Sequence, residues 1–110
     1  MSVTDQDIAF ALELFADLGP VTKRKMFGGA SLYLDGQIFG IVSHEGRIFV
    51  KAKGAFAQAL QDEGGEPFRW VNPSDGTEKT MGYVTLPDSA LDQPDEACQW
   101  ARRAIQEIGP

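Results

Sequence analysis

Lys23, Arg24 and Lys25 stand in a row and form the densest cationic group of the chain, with Lys51 and Lys53 as potential neighbours. Clustered positive charge concentrates anionic partners, so the trio suits a phosphate or an acidic protein surface. The same charges also suit a strand at the edge of a sheet, where lysines discourage pairing with another chain, and the acidic balance of the sequence favours that structural reading. Gly28 and Gly29 follow closely and invite comparison with a phosphate-binding loop. Such a loop needs a longer glycine-rich run ending in Gly-Lys-Ser/Thr, with a helix opening directly behind it. Here β-compatible sequence follows, so the pair reads as a sharp bend, a bulge or a close backbone approach.

The other residues capable of chemistry are scattered. His44 is the single histidine and sits beside Glu45 in a turn-like triplet ending at Gly46. One imidazole does not make a zinc site, and no nucleophile at readable spacing accompanies it as it would a catalytic base. Cys98, the single cysteine, excludes an intramolecular disulfide and fits a reducing compartment. It lies beside the apolar stripe of a terminal helix and reads as a packing residue. Asp62, Glu63, Glu66, Asp92, Asp95 and Glu96 fall at helix ends and in loops, where carboxylates cap and solvate. The expectation is a protein without catalytic, cofactor or metal residues, and not an enzyme. Phe39, Phe49, Phe68 and Trp100 lie on periodic apolar elements and read as core. Trp70 and Tyr83, near the turn-rich loop from Asn72 to Gly76, are the aromatics best placed to anchor an interface. The candidate interaction surface is therefore Lys23, Arg24, Lys25, Trp70 and Tyr83.

Composition narrows the partners. The 110 residues carry 16 Asp and Glu against 10 Lys and Arg, a net charge of −6. An acidic domain repels a phosphate backbone unless its cations share one face, so direct nucleic-acid binding is disfavoured. The length fits one domain with one core. No apolar run approaches the roughly 18 residues of a membrane span. The start, Met1-Ser2-Val3-Thr4-Asp5, lacks the cationic and apolar regions of a secretory signal, and a cytoplasmic, non-membrane protein is expected.

The elements that must position these residues follow from periodicity and punctuation. Thr4 and Asp7 have capping-box spacing, and Ile8, Ala11, Leu12, Phe15 and Leu18 predict a helix from Asp5 to Leu18, stopped by Gly19-Pro20. A strand runs from Val21 to Phe27, with Lys23 and Lys25 on one face and Thr22, Arg24 and Met26 on the other. Beyond the glycine pair, strands Ala30–Leu34, Gln37–Ser43 and Arg47–Lys51 form a meander joined by the Asp35-Gly36 hairpin turn and the His44–Gly46 triplet. A short helix from Ala55 to Glu63 ends at Gly64-Gly65. Strands Pro67–Val71 and Lys79–Leu86 come next, then a single helical turn at Asp88–Leu91. A last helix opens at Pro94, with Ala97, Trp100, Ala101, Ala104, Ile105 and Ile108 as its core stripe. The fold class is α+β: an antiparallel sheet, a β-meander plus two further strands, packed against N-terminal, middle and C-terminal helices.

The order Lys23-Arg24-Lys25-Met26-Phe27-Gly28-Gly29, then Leu32-Tyr33-Leu34-Asp35-Gly36, Phe39 and Val50-Lys51, resembles the N-terminal domain of the TfoX/Sxy competence regulators. Glu66-Pro67-Phe68, Met81-Gly82-Tyr83 with Leu86-Pro87, and Trp100-Ala101-Arg102-Arg103-Ala104 extend the resemblance to Ile105. One departure is local: Ala30-Ser31 stands where family members often carry an aromatic residue and a glycine. The resemblance implies an α+β domain without catalytic residues, in which Met26, Phe27, Gly28, Gly29, Asp35 and Gly36 mainly build the sheet. It also implies action on transcription together with an activator of the cyclic-AMP receptor type. In full-length regulators a second, C-terminal domain follows, so a stand-alone short form is expected here.

The expected function is a regulatory or adaptor domain working through protein contacts, with a homodimer compatible with it. A small-ligand binder or enzyme using a groove between the sheet and a helix is the alternative, which a deep apolar pocket near Arg24, His44 or Tyr83 would favour. Weak DNA binding through Lys23–Lys25 is the third reading.

Overall fold

The computed structural model describes residues 3–26, 28–71 and 73–108. Thr4 opens the first helix, α1 (Asp5–Leu14): its hydroxyl accepts from the Asp7 N–H at 3.1 Å, and its own N–H donates to the Asp7 carboxylate at 3.4 Å. This reciprocal cap satisfies two N–H groups at the helix end. The sequence predicts one helix to Leu18, but α1 stops at Leu14. Phe15 takes a non-helical conformation, and the chain tightens into a 3-10 turn at Ala16–Leu18 before Gly19. That break lets Phe15, fully buried, turn its ring edge-on to Phe39 at 5.3 Å.

Six strands follow the predicted order closely: β1 (Val21–Met26), β2 (Gly29–Leu34), β3 (Gln37–Val42), β4 (Ile48–Lys51), β5 (Pro67–Val71) and β6 (Glu78–Thr85). They form one antiparallel sheet in the order β1-β2-β3-β4-β6-β5. The glycine pair makes the sharp bend rather than the bulge. Met26 pairs with Gly29 and Gly28 has φ of 80°, so the chain makes a tight hairpin turn and β1 joins the meander as its first strand. The close-approach reading does hold for Gly29: a Cβ there would lie 2.5 Å from the Val42 carbonyl oxygen. The only register shifts among the described pairings are between Leu32 and Tyr33 in β2 and between Pro67 and Arg69 in β5. Asp35 and Gly36, at φ of 52° and 81°, make the predicted turn between β2 and β3. Phe27 and Asn72 lie outside the described residues.

The helices α2 (Gly54–Asp62), α3 (Asp88–Leu91) and α4 (Pro94–Ile108) join α1 on one side of the sheet. Ile8, Ala11 and Leu14 of α1, Phe56 and Leu60 of α2, and Ala97, Ala101 and Ala104 of α4 meet Leu32, Phe39, Val42, Ile48, Val50 and Val84 in one core. Alanines on α4 let its backbone approach the sheet closely, and their burial removes apolar surface from water, the dominant favourable contribution to the fold. Arg103 lies off this stripe, with its guanidinium 5.0 Å from the ring centres of both Phe56 and Trp100.

Candidate functional site

Directly paired residues on neighbouring strands point to the same face of a sheet, so the register sorts every strand residue. Ala30, Leu32, Val42, Ile48, Val50 and Val84 point to the helices. Their neighbours point the other way: Thr22 pairs with Tyr33, Arg24 with Ser31, Tyr33 with Ile38, Ser31 with Ile41, Ile41 with Phe49, Phe49 with Thr85, and Lys51 with Tyr83. No described helix covers this second face. It is nonetheless rich in apolar side chains: Tyr33, Ile38, Ile41, Phe68 and Tyr83 are each half-buried, while Phe49 is 4% exposed. Phe49 owes its burial to the Phe68 ring, edge-on at 5.1 Å, and to the Arg47 guanidinium 5.7 Å from its ring centre.

The basic trio divides between faces. Lys23 pairs with Leu32 and Lys25 with Ala30, so both lean toward the helical side, whereas Arg24 belongs to the helix-free face. Lys25 donates to the Asp5 carboxylate of α1 at 2.8 Å, and this hydrogen bond and charge, helped by Lys23, hold the exposed Asp5 carboxyl below its ordinary value. β1 is an edge strand of the sheet, the position in which charged side chains guard against edge-to-edge pairing. Tyr83 sits on the helix-free face near Tyr33. Burial, and secondarily the charge of an ionised Tyr33, push its phenol above the ordinary value. Of Trp70, only the place on β5 is described, in register with Lys79.

Two recesses open on this face. One, of about 360 Å³, is lined by Thr22, Lys23, Arg24, Tyr33 and Gly36. The other, of about 520 Å³, runs over Phe49 and Phe68, with His44, Arg47, Glu66 and Arg69 among its walls. Arg47 is ion-paired with Glu66 at 3.2 Å, and His44 stands 3.9 Å from Glu45, with all four side chains exposed. Ser43, also on this wall, accepts from the Arg47 N–H at 3.2 Å and so closes the turn. Among the described residues, no group of three or more His, Cys, Asp or Glu is arranged to hold a metal ion. Cys98 is buried against α1, its thiol 3.6 Å from the Leu14 carbonyl oxygen, and burial raises its pKa.

The apolar content of the helix-free face is what sequence periodicity leaves hidden. Phe49 and Phe68 read as core because they lie on apolar strands; Phe49 is indeed buried and Phe68 half-buried, but the two pack together on the side of the sheet away from the helices. The available signal was continuity: Ile38-Phe39-Gly40-Ile41-Val42 and Ile48-Phe49-Val50 are unbroken apolar runs rather than alternating ones. Such runs mark strands whose two faces both carry apolar side chains.

A six-stranded antiparallel sheet with helices on one side and a half-buried apolar face on the other defines an α+β domain of open-faced type. The family model of the TfoX N-terminal domain matches residues 13–108, nearly the whole chain, and the chain belongs to that family. No curated protein matches it. No described helix is long and apolar enough to cross a membrane.

Proposed function

We propose that this TfoX N-terminal domain is a regulatory or adaptor module that acts by protein–protein contact and not by catalysis. The observation that carries the reading is the helix-free sheet face, where Tyr33, Ile38, Ile41, Phe68 and Tyr83 stand half-buried beside Arg24, Arg47 and Lys51. Apolar side chains with a charged rim are the usual make-up of a surface that another protein covers. The resemblance to competence regulators makes a transcription activator of the cyclic-AMP receptor type the first partner to try, and transcription the level of action. Sedimentation of the purified domain with such an activator from the same cell, with and without cyclic AMP, tests this reading. A faster-sedimenting complex supports it; turnover of a small substrate by the purified domain refutes it.

A small-ligand reading draws on the recess over Phe49 and Phe68, where aromatic rings meet the arginines Arg47 and Arg69. An aromatic carboxylate that raised the melting temperature of the wild-type domain, but not of Arg47→Ala, would favour it.

A further inference from the structure

Charge in this molecule is sorted by layer. The helical segments 5–18, 54–63 and 88–108 hold eleven carboxylates and two guanidiniums. The segments 21–53 and 65–86, which supply the sheet and its turns, hold eight cations and five carboxylates. A chain of net charge −6 therefore presents a sheet layer with an excess of positive charge. On the helix-free face, Arg24 stands across from Ser31 and Lys51 across from Tyr83. Arg24 is exposed and Lys51 half-buried, and no carboxylate among the described residues pairs with either. Lys51 belongs to the same face as Ile41 and Tyr83, so a partner that covered those apolar groups would also take its ammonium out of water. Burying a cation without an opposing charge is costly, and so the occupant must bring a carboxylate to Lys51.

We propose that the helix-free face docks an acidic, amphipathic segment of a partner protein. Its apolar side chains lie on Tyr33, Ile38, Ile41 and Tyr83, and its carboxylates meet Lys51 and Arg24. This rests on the protein-contact reading above and adds the chemistry of the partner. A second copy of the chain fits less well, because a two-fold contact through this face sets Arg24 and Lys51 near like cations, and of the carboxylates beside Phe49 that it would bring, Glu66 is already ion-paired with Arg47. Single-stranded nucleic acid also brings negative charge to aromatic rings. Its phosphates, however, would feel the net charge of −6 and the Glu45 and Glu66 carboxylates beside Phe49, whose ring is too buried to serve as a stacking platform.

The test is a titration of the isotope-labelled full chain, followed by backbone amide shifts, with three probes: a synthetic peptide alternating Glu with Leu and Phe, the same peptide with Gln for Glu, and oligothymidylate. The acidic peptide is expected to shift amides of β2, β3, β4 and β6 while leaving α4 unmoved. The double variant Arg24→Gln/Lys51→Gln, its fold checked by unchanged α4 amides, should bind about tenfold more weakly, and Lys51→Arg should retain binding. Equal binding of the Gln peptide, shifts confined to the helices, no binding, or tighter binding of oligothymidylate would each overturn the proposal. A protein partner that binds the wild type and the double variant equally would refute the acidic-segment chemistry and leave the protein-contact reading standing. Failure to find any protein partner would refute that reading itself.

Discussion

Tyr83 joins the fold to the surface at the scale of one side chain. Its phenol is pushed above the ordinary value near 10, first by burial and then by Tyr33. A raised folded-state pKa means that the protonated phenol favours the fold. That contribution is present below the unfolded value and is lost as pH rises through the folded one. A tyrosinate absorbance titration should therefore show one of the two tyrosines ionising late, and Tyr83→Phe should remove that late step. Asp5 works in the opposite direction: its carboxyl is held low by Lys25, so the pair favours the fold at neutral pH and loses that effect as pH falls through the folded value. Cys98 is buried, with its thiol pKa raised, and should react with a thiol-specific chromogenic reagent only as fast as the protein opens. Reaction as fast as that of a free thiol would show that α4 does not seal it against α1. Gly29→Ala places a Cβ 2.5 Å from the Val42 carbonyl oxygen. The forced backbone shift should cost about 1–3 kcal/mol in denaturant unfolding.

Elements were legible wherever a residue type has one strong local preference. Thr4 with Asp7 opens α1, Asp35-Gly36 turns β2 into β3, and Pro94 starts α4 where the sequence places them. Thr4→Ala should lower stability by about 1 kcal/mol, because it leaves the Asp7 N–H without its cap. The early end of α1 was not legible: Phe15 keeps helical spacing, and only its packing on Phe39, brought from β3, draws it out of the helix. The glycine pair shows a similar limit. Glycine permits a bulge and a hairpin turn alike, and the pairing of Met26 with Gly29 decides between them. Candidate residues fared according to whether they depend on strand register. The alternation that separates Arg24 from Lys23 and Lys25 is visible in the sequence. That Asp5 would reach Lys25 requires knowing how α1 crosses the sheet.

At the scale of the whole molecule, the sheet is a partition. One side carries the core and an acidic helical layer, and the other carries half-buried apolar side chains with cations among them. Single-sequence periodicity marks a strand as apolar on both faces but does not say which face the helices cover, which is why the side of the sheet taken by the buried Phe49 and the half-buried Phe68 was not legible. On the proposed reading the helix-free face, and not the helical one, meets the partner. Photo-crosslinking in the native cell tests it most directly, with a benzophenone amino acid placed in turn at Tyr33, half-buried on the sheet face, and at Phe10, 48% exposed on α1. A discrete protein adduct from position 33 and none from position 10 is the expected result. A discrete adduct from position 10, with none from position 33, would contradict it.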